Sequence, residues 1–190
     1  MTRTTDTARS SDPGPTQTGT RGARLTTIDT PVGPFTAVVT DTDSGPAVLA
    51  SGWTGDVDDL LPLIARQLRP DSLRRVRSID HVTDAVVAFH DGAVTMIDAV
   101  PVQQRSGEFL THAWAVLRTV PAGAPVTYTE FAAKAGRPAA IRAAGSACSR
   151  NAAALFVPCH RVVPAGGGVG GFRWGPAVKR WLLDHEAAAG

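Results

Sequence analysis

The 190-residue sequence predicts an α/β unit followed by a mostly helical unit built on a helix-turn-helix. Three observations carry this. Strand-like β-branched runs and turns dominate the first hundred residues, helical apolar spacing with caps and breakers dominates the rest, and charge changes sign between the two. Residues 1–100 hold nine Arg and thirteen Asp, whereas residues 101–190 hold ten Arg/Lys against four Asp/Glu. A basic half on an acidic half suits either contact with a polyanion or a solvated basic face.

The first 23 residues, rich in Thr, Ser, Pro, Gly and Arg, cannot bury enough surface to offset ordering and read as a flexible tail. RLTTIDTPVGPFTAVVT then gives two strands around a turn at Pro31–Pro34, and GPAVLAS adds a third. Residues 56–68 have apolar positions at helical spacing behind acidic ones and predict a helix. DHVTDAVVAFH predicts another; Asp91-Gly92 turns the chain into TMIDAVPVQ, read as a strand. This unit, residues 24–103, offers no nucleophile, base and orienter together.

In residues 104–190, GEFLTHAWAVLRTV is a helix stopped by Pro121. TYTEFAAKAG starts on a Thr127–Glu130 capping box and ends at Gly136. Pro138 opens a third helix made almost wholly of Ala, Gly and Ser, with Arg142 projecting. Such a smooth helix lies close against a packed neighbour or in a narrow groove of DNA. An apolar β-rich run, a glycine loop and a last amphipathic helix from Pro176 complete the chain.

With 43% hydrophobic residues the chain is globular, and no apolar run is long enough to span a membrane. It carries no secretory signal pattern. Cys148 and Cys159 lack the spacing of a metal site or a disulfide framework, so reduced thiols, a cytoplasmic location and no cofactor or metal are expected. Cys159 is followed by His160. A thiolate needs a depressed pKa, which an imidazole can provide, yet a free Cys is equally a small buried hydrophobe. Neighbours on a strand face opposite ways, so only a turn or a bridging water would couple the two. Gly166, Gly168 and Gly171 satisfy G-x-G-x-x-G, but no second strand with an acidic end follows, which excludes a dinucleotide site.

VPCHRVV resembles the active-site signature of the O6-alkylguanine-DNA alkyltransferases. The likeness extends in order through PAGAPVTYTEFA, Arg142, Asn151, GGFRWG, Lys179 and WLLDHE, covering residues 106–187. It implies a ribonuclease H-like first domain and a winged-helix-like second. It implies a monomer that binds double-stranded DNA containing O6-alkylguanine through the minor groove and moves the alkyl group to Cys159 once, irreversibly. Cys159 would accept the group, His160 take its proton through a water, Glu186 orient His160, Asn151 hold the turn, and Tyr128 donate to N3 of the guanine. The carbonyls of Cys159 and Val162 would accept the guanine amino group. Arg142 would fill the gap in the stack, with Thr127, Ala139, Ala140, Ala143 and Gly145 against DNA. Lys179, Gly170, Phe172, Arg173 and Trp174 would complete the pocket, Trp174 narrowing it against large alkyl groups. Cys148 reads as packing. The competing readings are a protein that recognises alkylated DNA without repairing it and a Cys–His hydrolase.

Overall fold

Three long strands and a short one form a mixed sheet in the first half of the chain. The computed structural model describes residues 21–189. β1 (Gly22–Thr30), β2 (Gly33–Thr42) and β3 (Gly45–Gly52) make an antiparallel meander, and β4 (Ser72–Arg75) pairs parallel with β1, in the order β3-β2-β1-β4. The hairpin turn falls where expected, with Gly33 at φ 111°. Most of the tail reading lies outside the described residues, but Gly22 and Ala23 are corrected to strand, Ala23 opposite Thr40.

Two further expectations fail. Residues 56–68 form three successive 3-10 turns, Val57–Asp59, Leu61–Leu63 and Arg66–Leu68, in place of one helix. Pro62 lacks the N–H that an α-helix would use, and burying Leu60 and Ile64 is satisfied equally by tight turns. The strand expected in TMIDAVPVQ is a 3-10 turn, Met96–Ala99, and only Val102 pairs, with Val48 of β3. Helix α1 (Asp80–His90) packs against β1.

The second half contains α2 (Glu108–Leu117), β5 (Val126–Thr127), α3 (Tyr128–Lys134), α4 (Ile141–Ser149), β6 (Val162–Val163) and α5 (Pro176–Ala188). The Thr127–Glu130 capping box forms in both directions. Helix α4 begins at Ile141 and not at Pro138. Gly136 leaves α3 at φ 75°, and Arg137–Ala140 makes a turn, closed by Ala140 N–H donating to Arg137 O at 2.8 Å. Pro138 thus pre-sets the second position of that turn. β5 and β6 pair in parallel.

One apolar cluster runs through both halves, from Phe35 and Val86 to Leu117, Phe131, Phe156 and Leu182. Helix α5 is fixed to α1 by Trp181, stacked between His90 and His185, while His185 Nε2–H donates to Phe89 O at 2.6 Å. Among the described residues no helix is long and apolar enough to cross a membrane.

Candidate active site

Residues 151–158 are a loop held from two sides. Ser51 of β3 donates its N–H to Ala152 O (2.9 Å) and its hydroxyl to Ala154 O (2.7 Å), and accepts from Ala154 N–H. Gln104 donates to Asn151 Oδ1 and accepts from Ala152 N–H. The buried Leu155 is left-handed at φ 75°, the one non-glycine residue so placed among those described, and that strain persists because neighbours on both sides fix it. An inverse γ-turn at Pro158 (φ −81°, ψ 64°), closed by Cys159 N–H to Val157 O, then swings the chain into a 3-10 turn, Cys159–Arg161. The β-rich run expected here is therefore a turn, and only Val162–Val163 is strand.

Both residues of the Cys–His pair lie in that turn. Cys159 is buried at 8% exposure and His160 is wholly buried. His160 Nε2–H donates to Glu186 Oε1 at 2.9 Å, which leaves Nδ1 as an acceptor, buried and without a partner. Burial pushes the imidazole below its ordinary value of 6.5, against the pull of Glu186, so it is neutral at pH 7. Burial pushes the Glu186 carboxyl up, but bonds and charge from His160 and Arg161 outweigh it and hold it at about 2. The buried Arg161 supplies the permanent charge. Its Nε donates to both carboxylate oxygens (3.1 Å each), Nη2 to Oε1 (2.8 Å) and Nη1 to Val120 O (2.6 Å). Sequence reasoning gave Arg161 no role; its place inside PCHRV was the available signal.

Asn151 Nδ2 donates to Val157 O at 2.7 Å and to Cys159 Sγ at 3.2 Å. Burial raises the Cys159 thiol above its ordinary value, and the Asn151 bond, Lys179 and Arg173 oppose it. Lys179 is buried below the loop and donates to Val162 O at 2.7 Å. The two carbonyls expected to face guanine each already accept one bond, Val162 O from Lys179 and Cys159 O from Val162 N–H, and each keeps a second lone pair.

A cavity of about 480 Å³ opens onto Cys159 and is lined by Tyr128, Gly145, Cys148, Phe172 and Arg173 among others. Tyr128 is half-buried, and burial raises its phenol. Gly170, at φ 69°, has its Cα where a side chain would meet Pro164 at 3.0 Å. Several placements differ from expectation, and neither Gly170 nor Lys179 lines the cavity. Cys148 lines the same cavity as Cys159 instead of being packing alone. Trp174 does not line it; its indole lies on Gly52 of β3, where a Cβ would sit 2.0 Å from the ring. A Trp between two halves of a core gains more by burial there than over an open cavity. Arg142, Ala139, Ala140 and Ala143 lie outside the cavity, along the start of α4 and the turn before it, Arg142 and Ala139 being exposed. The hydroxyl of Thr127 is engaged by Glu130, donating to Oε2 at 2.8 Å.

A separate cavity of about 430 Å³ near α1 holds Ser44, His81 and Asp84. Ser44 Oγ bonds Thr42 instead, and no hydrogen bond joins the three, so they form no nucleophilic relay.

The family model described as the DNA binding domain of 6-O-methylguanine DNA methyltransferase matches residues 108–188. The methylated-DNA–protein-cysteine methyltransferase of Shigella flexneri is 30% identical over 161 residues, covering 84% of this chain and 92% of that protein. The chain belongs to that methyltransferase family. The human methyltransferase is 47% identical over 73 residues, 38% of this chain and 35% of its own. The O6-methylguanine methyltransferase of Mycobacterium tuberculosis superposes with a TM-score of 0.71 at 26% identity, covering 88% of this chain and 94% of that one. A structure of the same organism's protein in complex with DNA superposes at 0.70 with 28% identity, over 87% and 94% of the two chains. The matched domain, residues 108–188, contains Cys159, His160 and Glu186.

Proposed function

We propose that this methyltransferase repairs DNA directly, taking an alkyl group from O6 of guanine onto Cys159. The observation that carries it is the wholly buried His160, whose Nε2–H is committed to Glu186 and whose Nδ1 faces no protein partner. A water between Nδ1 and Sγ completes a nucleophile, base and orienter. The thiol proton passes through that water to Nδ1, and the resulting imidazolium is stabilised by Glu186. The thiolate attacks the O6-bound carbon, the C–O bond breaks, and its electron pair goes to the purine. Tyr128, kept protonated by burial, donates to N3 as charge gathers there. The product is a thioether that thiol exchange cannot open, so each molecule reacts once.

The base reaches Cys159 by leaving the stack, at the cost of a few kcal/mol. Arg142 at the start of α4 fills the gap, and the small side chains of Ala139, Ala140, Ala143 and Gly145 admit the helix to the minor groove. The sheet half is taken as ribonuclease H-like, and the helix-turn-helix with β5–β6 as winged-helix-like. The protein acts as a monomer.

Incubation with a duplex bearing one O6-methylguanine, followed by peptide mass spectrometry, tests this. One methyl on the Cys159 peptide, saturating at one per protein and lost in Cys159→Ala, is the expected result. Tight lesion binding by an unmodified protein would replace repair with recognition alone.

A further inference from the structure

A cavity of about 240 Å³ adjoins the one above Cys159 and shares Ser149 and Arg173 with it. Three arginines line it: Arg105 from the segment before α2, Arg150 at the end of α4, and Arg173 in the glycine loop. They come from three stretches of chain that only folding brings together, and all three are exposed. No carboxylate lines the cavity, and none of the three is in an ion pair among the described residues. Arg173 uses one Nη2–H on Ser149 O at 2.8 Å, which orients its guanidinium and leaves its other donors free. Three like charges converging without a counter-charge repel one another, and an anion among them removes that repulsion while gaining charge-assisted hydrogen bonds.

We propose that Arg105, Arg150 and Arg173 form a phosphodiester site that grips the DNA backbone next to the nucleotide entering the Cys159 cavity. It is a contact apart from α4's leading end, and its ligand rests on the reading of this protein as a DNA alkyltransferase. The guanidinium fork matches two oxygens of one phosphate, which three lysines would not do as well. The shared wall sets the register: a backbone held at Ser149 and Arg173 belongs to the rotated nucleotide or its neighbour. Pro62 and Leu63 form part of the other wall, so the sheet-bearing half also reaches the duplex.

The test uses duplexes with one O6-methylguanine in which each flanking phosphate in turn is replaced by an uncharged methylphosphonate. Affinities are compared for the wild type and the Arg105→Gln/Arg150→Gln double variant. Neutralising one phosphate beside the lesion should weaken the wild type about tenfold, the weight of a charge-assisted bond, and leave the double variant unaffected at that position. The slope of log affinity against log salt should also fall by about 1–2 in the variant. Equal losses in both proteins at every phosphate, or an unchanged slope, overturn the site. So does stabilisation by inorganic phosphate that needs these arginines, with no coupled position on DNA, which would make it a free-anion site. Methyl transfer to Cys159 is followed on the unmodified lesion duplex. Transfer without coupling rejects this site alone; binding without transfer rejects the repair reading.

Discussion

Glu186 makes bonds to two different cationic or cation-forming partners, and its removal exposes both. Glu186→Gln should slow methyl transfer at least a hundredfold in single-turnover assays, because the imidazole loses its orientation and its counter-charge. It should also cost about 3–5 kcal/mol in urea unfolding, since Arg161 is left buried and unpaired. The carboxyl is held at about 2 when folded against an ordinary 4.5. Its stabilising contribution is therefore complete above pH 4.5 and lost as pH falls toward 2, a decline that urea midpoints should show and that Glu186→Gln should flatten. Trp174 supports a different expectation from the one its sequence position suggested. Because the indole rests on Gly52, Trp174→Gly should lower stability by about 3 kcal/mol while leaving the reaction rate with free benzylguanine within about twofold. A large acceleration would return Trp174 to the cavity wall.

Elements whose ends carry chemical punctuation were legible in the sequence. Helix α3 follows from Thr127, Glu130 and Gly136, and α5 from Pro176, each marking an end through a specific bond or a missing one. Residues 56–68 and TMIDAVPVQ were not legible, because apolar spacing says which side chains are buried and not which backbone bonds form. Those bonds are decided by partners far along the chain, such as Val48 for Val102. The turn at Cys159 was hidden for the same reason: it depends on Ser51, Gln104 and Glu186, none adjacent in sequence. The residues of the site were named from a motif, which also contained the unassigned Arg161, while Gln104 and Ser51 could be found only once the chain was folded. Ser51→Ala should cost about 1 kcal/mol by thermal or urea unfolding and also slow methyl transfer, as the loop loses the hydroxyl bond, one of three by which Ser51 holds it. Loss of stability with an unchanged rate would show that the remaining backbone bonds and Gln104 suffice.

At the scale of the whole molecule, the shared core joins the sheet to the helices. Phe35 of β2 meets Phe156 of the site loop edge-on, with ring centroids 6.2 Å apart, and Trp53 meets Phe172 at 6.1 Å. Calorimetry should accordingly show one unfolding transition, with Glu186→Gln shifting the whole of it. Two resolved transitions would mean that the halves are stable apart.

Helix α5 brings Glu186 to His160 only after every other element of the site is in place along the chain. On the ribosome the helix-turn-helix emerges before this carboxylate does. A chain cut between them would hold the thiol but neither a fixed imidazole nor a neutralised Arg161, and it would lack Leu182 of the shared core. Such a fragment would lose the fold together with the reaction. Synthesis therefore delivers fold and reactivity together, and premature termination would leave an unfolded chain instead of a weaker repair protein.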